Sequence, residues 1–190
     1  MKSIKNTTTN KLEIKNSKFI TVLKQIDNTT NINKILEEIK KEYPKATHYC
    51  YGYITETTKK SSDDKEPSNT AGLPILNVLE KDNIINVIAI VVRYFGGIKL
   101  GASGLIRAYT KAVKEAINNS ELVDLIPGHE VEITFSYNKQ KEIDYLLKNY
   151  KIINKEYLEN IIYNILIPKE DIKKLDNYNY KIKKDLLIEK

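Results

Sequence analysis

Apolar residues fall along this chain in two periods, and the switches between them mark its elements. Ile32, Ile35, Leu36, Ile39 and Tyr43 recur at helical spacing, with Thr29 or Thr30 as the expected cap and Pro44 as the stop. Ahead of them, residues 11–14 and 17–27 read as two strands turning at Asn16. Residues 48–54 form a strand rich in tyrosine, followed by a polar loop over 55–69. A helix then runs to about Lys81, with Ser68 or Thr70 as its cap and Pro74 in its first turn. Leu73, Ile75, Leu76 and Leu79 are its expected buried face. Residues 85–92 are apolar on both faces except for Asn86, the pattern of an interior strand covered on two sides. After the glycine-rich stretch 96–104, a helix runs to about Asn118. Its stripe is Leu105, Tyr109, Ala112 and Ala116, widened by Ile106, Val113 and Ile117.

Pro127 and Gly128 read as punctuation, after which the pattern resets. Residues 130–137, 150–157, 160–167 and 181–188 read as strands, 139–149 as a helix, and a second helix opens at Pro168. That order is βαββαβ, the ferredoxin-like arrangement. The expected organisation is α+β in two domains, residues 1–126 and 127–190.

Charge changes the picture more by its placement than by its total. The formal net charge is +6, with 31 Lys and Arg against 25 Asp and Glu. No acid stands between Asp82 and Glu115, while Arg93, Lys99, Arg107, Lys111 and Lys114 all do. Residues 129–190 are nearly balanced by comparison. The only two arginines of this lysine-rich chain are Arg93 and Arg107, which points to positions where a planar guanidinium fork is required. A basic stretch of this kind favours a polyanionic partner. The single cysteine, Cys50, excludes an internal disulfide framework and favours a reducing compartment. The polar N-terminus lacks a signal-peptide pattern, and no apolar run approaches the ~20 residues of a membrane span. The expectation is a soluble, cytoplasmic protein with no membrane partner.

Three groups of residues carry candidate chemistry. The first is the loop GGIKLGASG, residues 96–104, between a strand and a helix. Gly96, Gly97, Gly101 and Gly104 let backbone N–H groups approach an anion, with Lys99 at the tip and Ser103 at the helix start. Ala102 and Ser103 after Gly101 exclude a Walker A loop, and the glycine spacing is wrong for a dinucleotide fingerprint. The second group is Asp63, Asp64, Glu66 and Ser68. It reads as a metal or acid–base loop, or as carboxylates that pair with Arg93 and fix the glycine loop. The third is His48 and Cys50, two apart on one strand face, with Tyr94 nearby along the basic stretch. A Cys–His nucleophile needs contact and a third orienting group. Tyr49, Tyr51, Tyr53, Tyr94 and Phe95 can stack on unpaired bases or pack the sheet. No cofactor and no metal is called for.

Three blocks together resemble the IMPACT/YigZ family. They are Ala46-Thr47-His48-Tyr49-Cys50-Tyr51, the run Asp63 to Pro74 (DDKEPSNTAGLP), and the run Val91 to Leu105 (VVRYFGGIKLGASGL) followed by Ala108-Tyr109. Lys65 and Asn69 depart from the pattern, standing where members often carry glycine. The resemblance implies a ribosomal-protein-like first domain with left-handed βαβ topology and a pair of domains similar to elongation factor G domains IV and V. It also implies a role in translation, since eukaryotic relatives regulate translation through protein contacts. The leading expectation is a non-enzymatic factor that binds RNA or the ribosome, with other translation-related proteins as further partners. In that reading Arg93, Lys99, Arg107 and Lys111 meet phosphate. The alternatives are an enzyme acting on a phosphorylated or nucleotide substrate, and a protein-interaction module without nucleic acid.

Overall fold

The computed structural model describes residues 1–190 and divides them into two compact units, Met1–Val123 and Asp124–Lys190. In the first unit the elements are β1 (Lys2–Ile4), β2 (Thr8–Ile14), β3 (Ser17–Gln25), α1 (Ile32–Glu42), β4 (His48–Ile54) and β5 (Lys59–Ser62). They continue with α2 (Gly72–Lys81), β6 (Val87–Tyr94) and α3 (Gly101–Asn118). The sheet order is β2-β3-β6-β4-β5, with every neighbouring pair antiparallel. β3 and β4 flank β6 and therefore run parallel to one another, joined through α1.

The two-residue period of β6 sorts its side chains between two cores. Val87, Ala89 and Val91 join the buried residues of α2 and α3, while Ile88, Ile90 and Val92 join those packed under α1. By the same alternation Cys50 of β4 belongs to the first core and Tyr53 to the second. His48 shares the side of Cys50, and Arg93 the side of Val91. The two stand opposite one another across the β4–β6 ladder. Tyr109 of α3 packs edge-on to Phe19 of β3, ring centres 5.3 Å apart.

The second unit is built from β7 (Leu122–Phe135), which carries the boundary, then α4 (Gln140–Leu146), β8 (Lys151–Tyr157), β9 (Ile161–Pro168) and β10 (Asn179–Glu189). Within the unit the antiparallel order is β10-β7-β9-β8. Val131, Ile133, Phe135, Tyr163 and Ile165 alternate onto one face with Ile143 and Leu147. Tyr163 meets Phe135 edge-on at 4.9 Å. Glu130 and Glu132, in the intervening positions of β7, pair with Lys184 and Lys183 of β10.

Several expectations are corrected. Pro127 and Gly128 lie inside β7; a Cβ on Gly128 would stand 2.6 Å from Ile188 Cδ1, so close packing rather than a turn requires glycine there. The polar loop 55–69 contains β5, an edge strand whose lysines hide it from a hydrophobic reading. Asn31 caps α1, while Thr29 and Thr30 turn their hydroxyls to Asp27. Neither Ser68 nor Thr70 caps α2: Thr70 Oγ1 donates to the Pro67 carbonyl instead. Leu73 and Ile106 are exposed. The helix at Pro168 is a 3-10 turn, Lys169–Leu175, in which Ile172 and Leu175 reach the core at the i, i+3 spacing that geometry favours. No helix is long and apolar enough to cross a membrane.

Candidate functional site

The arginine that closes β6 is the hub of the first unit. Arg93 is only 4 % exposed, between the rings of Phe19 and Phe95, 5.4 and 5.5 Å from its guanidinium carbon. Its Nη1 donates to Glu66 Oε1 at 2.5 Å, Nη2 to Ser17 Oγ at 3.4 Å, and its buried Nε has no partner. The Glu66 side chain is 3 % exposed, and Oε1 also accepts from Tyr109 Oη at 2.8 Å. A buried carboxylate with one charged and one neutral donor is a stable arrangement only while both remain. Arg93 is thus tied into the core of the first unit while it also lines a cavity, whereas Lys99 and Arg107 are exposed.

The other carboxylates of the loop have separate tasks. Asp63 Oδ1 accepts from the backbone N–H groups of Ala71 and Gly72 at 2.9 and 2.7 Å, and Oδ2 from that of Asn69 at 2.8 Å. It is the cap of α2, delivered from nine residues upstream of the helix start. Asp64 Oδ2 accepts from Tyr49 N–H at 2.6 Å. Ser68 is exposed. Asp64, Lys65 and Asn69 all take positive φ, at 39°, 70° and 60°. The two departures from the family pattern thus fall on left-handed backbone, where glycine is free of strain.

His48 Nδ1 lies 2.8 Å from the Asp64 carbonyl, which can only accept, so this nitrogen is the donor. The other ring nitrogen, Nε2, lies 3.8 Å from Glu66 Oε1. Cys50 Sγ donates to the Asp63 carbonyl at 3.0 Å and contacts Tyr109 Oη at 3.3 Å. Burial pushes its thiol up to about 12 and raises the Tyr109 hydroxyl as well. A thiol held in its protonated form is a poor nucleophile. No three His, Cys, Asp or Glu side chains converge as a metal cluster.

The glycine loop leaves β6 along a tied path. Phe95 N–H donates to Thr47 Oγ1 at 3.0 Å and Gly96 N–H to Ser17 Oγ at 3.2 Å. A Cβ on Gly96 would fall 2.1 Å from the Asn16 backbone, which only glycine permits. Gly97 and Gly101 have positive φ, 85° and 72°, and Gly104 lies within the first turn of α3. The helix starts at Gly101, flanked by Leu100, with no side-chain cap and no acid in its first turn. Between that start, Glu66, His48, Arg93 and Phe95 lies a cavity of about 390 Å3.

Along α3, Ser103, Arg107, Lys111 and Lys114 are exposed, and so is Lys99 in the loop before it. Lys111 stands 3.7 Å from Glu115. Of the aromatic candidates, Tyr94 donates to the Pro44 carbonyl, Tyr49 to that of Tyr43, and Tyr51 stacks on Tyr53. Phe95 alone among these is open, at 45 %. The sequence brings out Arg93, Glu66 and His48 but not Tyr109, Ser17 and Thr47 as their partners. Tyr109 is legible only as part of a core stripe, and no spacing rule links a buried hydroxyl to a loop carboxylate.

The Impact N-terminal domain signature matches residues 15–117, a span that includes every residue of this cluster. The IMPACT family member YvyE of Bacillus subtilis (strain 168) is 34 % identical over 174 residues, 89 % of this chain and 80 % of that protein. YigZ of Escherichia coli (strain K12) is 34 % identical over 163 residues, 82 % of this chain and 80 % of that protein. A crystal structure of a hypothetical protein matches with a TM-score of 0.68 at 29 % identity over 95 % of each chain. By the matched domain and by these relatives, the chain belongs to the IMPACT family.

Proposed function

We propose that this chain is a non-enzymatic, translation-associated regulator that binds RNA or the ribosome through α3 and the loop before it. One observation carries the reading. Lys99, Arg107, Lys111 and Lys114 are all exposed, and the last three stand on the helix at positions i, i+4 and i+7, a single face. Glu115 is the only acid among the helix residues; of these cations it pairs with Lys111, and it also accepts from the Asn10 amide. Such a face neutralises backbone phosphates without reading sequence. Membership of the IMPACT family supports the link to translation.

The test is RNA binding to Arg107→Ala/Lys111→Ala across a salt series. Affinity of the parent chain is expected to fall with salt, and that of the double variant to be weaker and less salt-sensitive. Unchanged affinity in the double variant, or no binding of the parent at low salt, would sink the proposal. The enzyme alternative has one observation in its favour: Glu66, rather than Asp64, reaches the cavity beside the glycine loop. Asp64 is committed to the Tyr49 N–H.

A further inference from the structure

The helices α2 and α3 pack side by side over one core of the first unit, and a groove of about 290 Å3 runs between them. α2 leads to the start of β6 and α3 departs from its end, so the two helices point the same way. Each lines the groove with residues at i, i+4 and i+8: Leu73, Asn77 and Lys81 on α2, and Ile106, Thr110 and Lys114 on α3. The two rows match in kind. Each has an aliphatic residue toward the helix start, a hydrogen-bonding group one turn on, and a lysine one turn further.

Core packing accounts for neither end. Leu73 and Ile106 continue the apolar stripes of their helices, yet they are 40 % and 42 % exposed, beside a floor made by Pro74 and Val78. Exposed aliphatics standing singly are ordinary, whereas two that line one groove with an apolar floor form a patch. Lys81 and Lys114 are exposed and make no ion pair. The acids beside them are committed elsewhere, Glu80 to Lys59 at 2.6 Å and Glu115 to Lys111 and Asn10. No acid lines the groove. Lys81 suits the dipole at the end of α2, but Lys114 stands before the last turn of α3, where that benefit has faded.

We infer that this groove docks an acidic amphipathic helix of a partner protein. Aliphatic side chains of the partner seat against Leu73 and Ile106, and its carboxylates meet Lys81 and Lys114. Leu73 to Lys81 spans about 12 Å of helix, so anchors and carboxylates stand about two turns apart on the partner. Charge decides among the occupants. Two copies of this chain meeting groove to groove would bring the lysines of both together, with no acid in the groove to answer them. RNA would find the lysines but no aromatic ring on which to stack a base. The site is separate from RNA binding in that it needs no contact from Arg107 or Lys111.

The probe is a displayed library of random peptides of about 16 residues, about 24 Å as a helix, selected on the full chain and counter-selected on Leu73→Glu/Ile106→Glu. Both substitutions fall on exposed positions, so the melting temperature is expected to hold. Enriched peptides are expected to carry net negative charge and aliphatic residues at i, i+4 spacing. The best of them, made synthetically, is expected to shift the amide resonances of residues 73–81 and 106–114. Lys81→Glu/Lys114→Glu is expected to weaken it at least about tenfold. A version of the peptide with its acids replaced by lysine is expected to prefer that variant to the parent chain, which a merely structural role of the two lysines would not produce. Arg107→Ala/Lys111→Ala is expected to bind the peptide as the parent does, so failure here and failure of RNA binding are distinguishable. The inference is overturned by no enrichment over the counter-selected variant, by enriched peptides without net negative charge, by unchanged affinity in Lys81→Glu/Lys114→Glu, or by peptide binding lost in Arg107→Ala/Lys111→Ala. It is equally overturned if the parent chain dimerises at about 100 µM and Leu73→Glu/Ile106→Glu abolishes the dimer, or if single-stranded RNA shifts Leu73, Asn77 and Ile106 as the peptide does.

Discussion

Arg93 and Glu66 stand 27 residues apart in sequence and share one short hydrogen bond in a buried setting. Removing one partner leaves the other charge unanswered, so Glu66→Gln is expected to lower unfolding free energy by about 3 kcal/mol, read from urea denaturation. Replacing both residues by methionine is expected to recover much of that loss, because no buried charge remains. Cys50 gives a pH signature. Its thiol is near 9 when unfolded and pushed up to about 12 by burial when folded. The folded state therefore keeps a proton that the unfolded chain releases, so stability is full below about pH 9 and falls as pH rises toward 12, by up to about 1.4 kcal/mol per unit. Tyr109, raised in the same direction, steepens the fall above pH 10. Denaturation at pH 8, 9 and 10 in the parent chain and in Cys50→Ala checks this, with a shallower fall expected in the variant. At this scale the sequence is legible as far as direction. Alternation along β4 and β6 places His48, Cys50 and Arg93 on one side of the sheet. Which of three neighbouring carboxylates would answer Arg93 is not legible, because a loop has no period.

Helices and strands with a strong apolar period stand close to where the pattern puts them, as α1, α3 and β4 show. Their ends are less legible, because the groups that finish them come from elsewhere in the chain. The cap of α2 is Asp63, which accepts both N–H groups at its start across an intervening turn. Asp63→Ala is expected to cost about 1–2 kcal/mol and to loosen Asn69, visible as a lower melting temperature and faster amide exchange at residues 69–72. The same turn holds three non-glycine residues at positive φ, a strained path that Asp63 and Asp64 keep closed through Asn69 and Tyr49. β5 escapes a hydrophobic reading for a related reason: its four residues are chosen for an edge, and their pairing with β4 is set by the sheet rather than by their own composition.

Across the whole molecule, the chain joins a unit with helices on both faces of its sheet to one whose sheet is apolar on one face and ion-paired on the other. That division was visible in the sequence as a continuous apolar β6 against an alternating β7. The uneven charge was visible as well, and it sets the size of the salt effect. If Arg107 and Lys111 each neutralise one phosphate of a single strand, losing both makes the slope of log affinity against log salt shallower by about 1.4. The edge-on pairs Phe19–Tyr109 and Phe135–Tyr163 have one more consequence. The chain has thirteen tyrosines and no tryptophan, and Tyr109 and Tyr163, one per unit, are wholly buried. Each phenol also donates to a carboxylate, Glu66 in one case and Asp144 in the other. Each unit thus contains its own near-ultraviolet chromophore, locked against an aromatic edge and an acid, and the difference spectrum between the parent chain and Tyr→Phe at either position reports the packing of that unit alone.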